Sequence, residues 1–275
     1  MFKLAYCAGH YINTPGKRIP ANLDPKQTGE WTLNDRVADH FARAALEYED
    51  VQLMRTDDPT GATHIEISDR TAKANAWDAN LYLDIHHNAG IYGGTGGGVV
   101  AFSYPGSAKG KAYRDAIYNA VINAGGLKGN RSQPLQEKKF DSLRLANAPA
   151  VLMEYGFMDS KTDAPVILTD AYAKKVAYAT MEGIAKVAGL KKKAAKTVAN
   201  CTVTLPILTK GDKGEAVKAM QILLIGHGFS CGEKGADGDY GSATEKALLA
   251  FKKKVGLTLT VNCGVQTWSA LLGTK

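Results

Sequence analysis

Apolar and polar residues alternate along the first 190 residues in a way that predicts strands and helices in turn. Short apolar runs between turn residues are typical of buried strands, whereas apolar residues recurring every three to four positions are typical of helices. Their alternation predicts an α/β fold, in which helices cover both faces of a mostly parallel sheet. The predicted strands are residues 3–7, 51–54, 81–85, 99–103 and 150–153, and the predicted helices are residues 31–48, 65–79, 109–124 and 171–187. Asp69 and Arg70, on the second of these helices, are expected on a solvated face.

The pattern changes after residue 190, so we predict a first domain over residues 1–190. Residues 191–204 begin with a lysine-rich stretch that is poor in core-forming side chains, and we interpret them as a linker. Residues 205–275 are predicted to form a small all-α domain, with helices over 214–226, 242–255 and 265–272. The side chains expected to face inward there are Val217, Met220, Leu224, Leu248, Phe251, Trp268 and Leu271.

Composition excludes several classes of protein. Of the 275 residues, 45% are apolar and 22% are charged, and no segment approaches the roughly 20 continuous apolar residues that a membrane span requires. The N-terminal apolar run is too short for a secretory signal, so we expect synthesis in the cytoplasm without a signal peptide. The wide, unpatterned spacing of the four cysteines favours reduced thiols over a disulfide framework.

The formal net charge of +7 favours polyanionic partners, which include nucleic acid, anionic lipid and acidic wall polymers. Nucleic acid is the weaker choice, because the lysines are not interleaved with aromatic residues and no nucleic-acid-binding motif is present. The oligomeric state cannot be derived from these features.

Four short segments carry groups that can converge on one metal ion: residues 8–10, 28–30, 84–88 and 153–157. Three of them follow predicted strands, at the sheet edge where ligands bind in open α/β folds. The remaining one opens a helix after a long irregular loop. Two imidazoles and a carboxylate would leave one position on a Zn²⁺ ion open for water, and a second carboxylate can take that water's proton.

Each of these residues also has a structural interpretation. His10 alone is more typical of an ordinary turn or core position, and His87 alternates to the other side of its strand, where it can pack against a helix. Glu30 fits a helix N-terminus, where it offsets the macrodipole. Glu154 ends an apolar run and needs a partner if buried, for which Arg144 is the alternative to a metal site.

The order of these motifs resembles the zinc-dependent N-acetylmuramoyl-L-alanine amidases of the amidase type 3 family. The resemblance covers nearly all of residues 1–190 and includes PAVLMEYGF at 149–157 and LMRTD at 53–57. It implies one Zn²⁺ ion bound by His10, Glu30 and His86, with Glu154 as the catalytic carboxylate.

Two positions depart from the family pattern, although neither removes an implied ligand. Cys7 stands where the family often has aspartate, and Asp84 stands where it often has serine. The departures leave open which groups surround the ligands and how acidic a metal-bound water would be.

The second domain resembles the three-helix peptidoglycan-binding domain of bacteria. The motif is visible as KGDKGEAVKAMQ at 210–221, DGDYGSAT at 237–244 and QTW at 266–268. The resemblance implies a shallow groove that binds sugars or stem peptide. A dimerisation or spacer unit is the alternative interpretation.

Together the two resemblances imply an enzyme that hydrolyses the amide bond between N-acetylmuramic acid and L-alanine in bacterial peptidoglycan, and so lyses the cell wall. An endolysin of a phage or prophage, released through a membrane lesion, and a host autolysin fit equally well. The implied partners are peptidoglycan and anionic wall polymers, without membrane insertion. The competing hypotheses are a zinc peptidase that cuts stem or cross-link peptides and a wall-binding protein without catalytic activity.

Overall fold

The structure is a computed structural model that describes residues 1–194 and 205–273. The chain divides into two compact units, Met1–Lys196 and Thr197–Lys275. Most of the predicted linker, residues 195–204, and with it Cys201, lies outside the described residues. Lys191 and Lys193, which belong to the predicted linker, form backbone hydrogen bonds with Glu49 and Glu47 in the first unit. The domain boundaries given above stay predictions.

A six-stranded sheet forms the centre of the first unit, in the order β2-β1-β3-β6-β4-β5. Strands β1, β2, β3 and β6 are parallel, whereas β4 runs antiparallel to β6 and parallel to β5. The mostly parallel sheet is therefore confirmed. The strands are β1 (Phe2–Ala8), β2 (Val51–Arg55), β3 (Leu81–Asn88), β4 (Val100–Ser103), β5 (Leu135–Glu137) and β6 (Ala150–Phe157).

Helices cover both faces of this sheet, as the sequence predicted. One face packs against α1, α3 and α6 through the larger hydrophobic core, which includes Leu83, Phe41 and Ile117. The other face packs against α2 and α4 through a smaller core that includes Tyr82 and Leu143. The helices of the first unit are α1 (Glu30–Ala45), α2 (Ile67–Ala76), α3 (Ala108–Asn123), α4 (Asp141–Arg144), α5 (Ala164–Ile167) and α6 (Asp170–Ala188).

The strands that carry candidate residues run further than the sequence predicted. β3 continues to Asn88 and β6 to Phe157, so His86 and Glu154 lie within strands and not beyond their ends. The reason is that β3 and β6 pair side by side up to these residues, with a register shift between His86 and Asn88. Both strands therefore continue through polar residues after their apolar runs end.

The second unit contains the three helices predicted from the sequence. Its core contains all seven residues that the sequence placed inside, together with Tyr240, Cys231 and Cys263. The two cysteines are buried and free. Across the described ranges of both units, none of the helices combines the length and apolar character needed to cross a bilayer. The helices of the second unit are α7 (Glu215–Gly226), α8 (Ser242–Val255) and α9 (Val265–Leu272).

Close packing of α6 on α3 depends on Gly183. A Cβ atom at this position would lie 2.5 Å from the Cα atom of Ile117, well inside van der Waals contact. Gly183→Ala should therefore lower the free energy of unfolding by about 1–3 kcal/mol, despite the better helix propensity of alanine. Urea unfolding of the full chain measures this, with exposed Lys186→Ala in the same helix as a control expected within about 0.5 kcal/mol of the parent. A stabilised Gly183→Ala variant would contradict the packing.

Candidate metal centre

Two histidines meet one carboxylate at the edge of the sheet. His10 Nε2 lies 3.2 Å from Glu30 Oε1, and His86 Nδ1 lies 3.0 Å from the same oxygen. One potential ligand atom from each of the three residues lies within 4.8 Å of the others. The structure thus brings together three residues that are far apart in the sequence.

His10 occupies the turn that follows β1, in a conformation that non-glycine residues rarely adopt. Its φ of 69° lies in the left-handed region. The guanidinium of Arg70 holds this turn, since it donates hydrogen bonds to the carbonyl oxygens of Ala8 at 3.0 Å and His10 at 2.8 Å. Asn34 Nδ2 donates to the Gly9 carbonyl at 3.0 Å. The strained turn is therefore fixed from two helices.

Arg70 corrects a prediction made from the sequence. The side chain is buried, with 4% of its surface exposed, and does not lie on a solvated helix face, although Asp69 does. The sequence did not show that the carbonyl oxygens of Ala8 and His10 would lie within hydrogen-bonding distance of the Arg70 guanidinium. The only feature of the sequence that could have indicated its burial was the presence of an arginine in a helix that packs on a sheet edge.

Glu30 is both the first residue of α1 and a member of the cluster. Its side chain is 1% exposed, and its Oε2 atom has no hydrogen-bond partner among the described residues, although Lys17 Nζ lies 3.5 Å away. Burial alone would raise the pKa of Glu30, but hydrogen bonds from His10 and His86 outweigh burial and hold the pKa well below its usual range. A buried, charged carboxylate with one oxygen that accepts no hydrogen bond from the described residues is suited to bind a cation.

Gly9 provides the space in which the His86 ring lies. A Cβ atom on Gly9 would come within 2.0 Å of His86 Cε1 and 2.3 Å of Nε2. Any larger residue at this position must displace the imidazole. The glycine before His10 therefore has a steric role in the site.

Glu154 lies on β6 directly beside His86, its register partner on β3. Its Oε2 atom is buried and has no hydrogen-bond partner in the part of the chain that the structure describes. Burial raises the pKa of Glu154 to about 8. A divalent cation at the neighbouring cluster would oppose that rise, because positive charge favours the ionised carboxylate.

The alternative partner proposed for Glu154 is engaged elsewhere. Arg144 Nη2 pairs with Asp141 Oδ1 at 2.8 Å, within α4. Glu154 is therefore a half-buried residue with a buried Oε2 atom and without a salt bridge to Arg144, which leaves it available for chemistry.

His87 faces away from the cluster. Its Nδ1 atom lies 2.8 Å from Asn34 Oδ1 of α1, and the ring is buried. Burial lowers the pKa of His87 to about 3. Its position is that of a neutral histidine packed beneath a covering helix.

Cys7 and Asp84, the two residues that depart from the family pattern, contact each other. Cys7 and Asp84 are register partners on β1 and β3, and the Cys7 thiol donates a hydrogen bond to Asp84 Oδ1 at 3.0 Å. Burial raises the pKa of the Cys7 thiol well above its usual range, so it stays protonated. The same Asp84 oxygen lies 3.1 Å from His86 Nε2.

The cluster fits a divalent cation. Two imidazoles and a carboxylate are common ligands of such ions, and Glu30 Oε2, which has Lys17 3.5 Å away but no hydrogen bond from the described residues, is available to a cation. Without a cation, contacts with Asp84 and Glu30 overcome the effect of burial and raise the pKa of His86 well above its usual range. Binding must then release a proton from His86, because only a neutral imidazole nitrogen can be a ligand.

A cavity of about 730 Å³ lies at the opposite edge of the sheet, where the strands begin, and it is larger than the cavity of about 90 Å³ beside His10 and His86. Two polar residues of the larger cavity are already paired with protein groups: Asn75 Nδ2 donates to the Leu145 carbonyl, and Asn80 Oδ1 accepts from the Lys3 backbone. Size alone therefore does not make it the better candidate site.

Comparison with known families gives two matches. Residues 6–186 match the family described as N-acetylmuramoyl-L-alanine amidase. Residues 213–271 match a second family, described as "Putative peptidoglycan binding domain". The first match includes all four candidate residues, and the second overlaps α7, α8 and α9.

Individual relatives agree with these matches. The chain is 34% identical to N-acetylmuramoyl-L-alanine amidase CwlM of Bacillus licheniformis over 152 residues, which are 54% of this chain and 56% of the relative. It is 35% identical to the endolysin of Bacillus phage SPP1, over 52% of this chain and 51% of the relative. The chain thus spans just over half the length of these curated relatives.

Solved structures show the same fold. The N-acetylmuramoyl-L-alanine amidase of Clostridium difficile 630 superposes with a TM-score of 0.61 at 23% identity, covering 68% of this chain and 97% of that one. The catalytic domain of CwlV from Bacillus (Paenibacillus) polymyxa var. colistinus gives 0.61 at 20% identity, covering 70% of this chain and 100% of that one. These likenesses confirm the predicted α/β fold.

Gly9→Ala should displace the His86 ring and weaken cation binding while the chain stays folded. Titration of the full chain with Zn²⁺ against a chromophoric chelator measures the affinity, and circular dichroism checks the fold. We expect a loss of at least about tenfold, because one of three protein ligands is moved. Gly29→Ala is the matched control, since a Cβ atom there would lie 3.8 Å from the carbonyl oxygens of Ile12 and Lys17, which is ordinary van der Waals contact. Equal zinc affinity in the two variants would contradict the steric role of Gly9.

Proposed function

The chain belongs to the N-acetylmuramoyl-L-alanine amidase family, and from that premise we propose that it hydrolyses the amide bond between N-acetylmuramic acid and L-alanine in bacterial peptidoglycan. The observation that carries the proposal is the meeting of two imidazoles and a carboxylate within 4.8 Å, beside Glu154 on the neighbouring strand, whose Oε2 atom is buried. This arrangement supports a hydrolase that uses a metal ion.

We propose that His10, Glu30 and His86 hold one Zn²⁺ ion. Three protein ligands are the number typical of catalytic zinc sites, which keep a further position open. When bound, zinc supplies Lewis acidity, which makes water a better nucleophile and favours negative charge on a carbonyl oxygen. The lack of a hydrogen bond to Glu30 Oε2 among the described residues and the close approach of both imidazoles to its Oε1 atom support this assignment.

Glu154 is proposed as the group that moves the proton. Its carboxylate accepts a proton from the attacking water and returns it to the nitrogen of the amide as the C–N bond breaks. The products are a free muramic acid carboxylate and a new amino group on L-alanine. The lack of a hydrogen-bond partner at Oε2 supports this role, because no described side chain competes for that oxygen.

Arg70 and Asn34 are proposed to keep the ligands in place. Both donate hydrogen bonds to carbonyl groups of the turn that carries His10. A site held by rigid neighbours needs little rearrangement when the substrate arrives. Neither residue needs to contact the substrate for this role.

The second unit is proposed to bind peptidoglycan, which its family match supports. Gln221 organises one side of this unit, since its Nε2 atom donates to Asp237 Oδ1 and Thr244 Oγ1, each at 2.9 Å. The Gly238 backbone donates to Gln221 Oε1 at 2.8 Å. This buried amide fixes the glycine-rich turn before α8, where the family motif lies. Binding there would concentrate the catalytic unit on the wall, the proposed place of action.

Digestion of purified cell walls tests the proposed bond specificity. The full chain should lower wall turbidity, and labelling of new amino groups should identify N-terminal L-alanine. A chelator should abolish both effects, and added Zn²⁺ should restore them. A different new amino group would favour the zinc peptidase instead. Walls that bind the zinc-loaded chain but are not digested would favour a binding protein without activity.

Glu154→Gln should remove lysis while leaving the metal bound. Glutamine keeps the shape of the side chain but cannot accept the proton, so we expect a rate loss of about 10²–10⁴-fold. Zinc content and initial rates of turbidity loss are measured on the same preparation. Glu137→Gln, at an exposed position of β5, should keep the parent rate. A Glu154→Gln variant with more than a tenth of the parent rate would exclude Glu154 as the proton carrier.

A further inference from the structure

Asp84 is a buried carboxylate that the proposed chemistry does not yet use. It lies two residues before His86 on β3, and therefore on the same face of the strand. Only 4% of its surface is exposed, and its Oδ1 atom lies 3.1 Å from His86 Nε2. A buried charge is costly without partners, so these contacts require an explanation.

The other partners of Asp84 hold its carboxylate in one orientation. The Cys7 thiol donates to Oδ1 at 3.0 Å, and the Ser142 hydroxyl from α4 hydrogen-bonds to the same carboxyl group. Cys7 Sγ in turn lies 3.2 Å from the Tyr82 hydroxyl. Because these groups come from two strands and a helix, the carboxylate is held firmly toward His86.

The two nitrogens of His86 face different neighbours. Nδ1 points to Glu30, which His10 also contacts, whereas Nε2 points to Asp84. A neutral imidazole has one N–H group and one lone pair, so only one nitrogen can bind a metal. Gly9 lies directly against the ring, which limits how far it can turn.

We propose that Asp84 is a positioning residue, which accepts a hydrogen bond from the Nε2–H group of His86 and thereby makes Nδ1 the metal-binding nitrogen. This inference rests on the proposed metal site at His10, Glu30 and His86. A carboxylate that takes the second N–H group of a ligating histidine fixes its tautomer and ring orientation, and loss of such a group typically weakens metal binding about 10–100-fold.

The reverse arrangement would place the cation between Nε2 and Asp84. That side of the ring offers Asp84 and a protonated thiol, whereas the second imidazole, His10, lies against Glu30 on the Nδ1 side. The three-residue cluster found among the described residues contains His10, Glu30 and His86 but not Asp84. The positions of the ligands thus favour Nδ1.

Nitrogen-15 spectra of the histidine rings test the tautomer directly. In the full chain with one equivalent of Zn²⁺, His86 Nδ1 should show the shift of a metal-bound nitrogen and Nε2 should carry the proton. Metal binding through Nε2 would overturn the proposal. A parent chain that binds no zinc at all would instead overturn the proposed function, so the two failures are distinguishable.

Asp84→Ala and Asp84→Asn separate positioning from general stability. Chelator competition should show about 10–100-fold weaker zinc binding for Asp84→Ala and a smaller loss for Asp84→Asn, since the amide oxygen can still accept a hydrogen bond from Nε2–H. Asp163→Asn is the matched control, because Asp163 is also buried but accepts hydrogen bonds only from backbone and a threonine, including Gly98 and Phe157. It should keep the parent affinity. Parent-like affinity of Asp84→Asn and Asp84→Ala, or an equal loss in Asp163→Asn, would contradict the proposal. If Asp84→Ala does not fold, Asp84→Asn and the nitrogen spectra decide.

Discussion

The site depends on one oxygen atom of Glu30, which both His10 and His86 contact. A buried carboxylate is stable only when positive charge or hydrogen-bond donors lie against it. The two histidines supply these in the cation-free site, and a divalent cation would supply them in the loaded one. The same interaction that makes Glu30 tolerable in the core therefore also supports the proposed cation site.

The parallel strands bring these groups to one edge. β1, β3 and β6 are neighbours, so the turn after β1 and the ends of β3 and β6 deliver His10, His86 and Glu154 together. The first residue of α1 then brings Glu30 onto them. Because Gly9 has no side chain, the His86 ring fits beside it, and the buried guanidinium of Arg70 on α2 holds the turn that carries His10.

The sequence predicted the sheet, the helices of both units and the closeness of the candidate residues, because apolar periodicity and strand order determine these features. That His10, Glu30 and His86 bind zinc stays a proposal. The short elements β5, α4 and α5 were not predicted, since three or four residues carry no measurable period. The burial of Arg70 and the contact of Asp84 with His86 depend on which groups the packing brings opposite them, and no local pattern encodes that.

X-ray absorption at the zinc edge, on the full chain loaded with one equivalent of Zn²⁺, tests the central claim most directly. The account predicts a first shell of nitrogen and oxygen atoms only, at about 2.0–2.2 Å, with the scattering pattern of two imidazoles. Sulfur at about 2.3 Å, or a shell with fewer than two imidazoles, would contradict it.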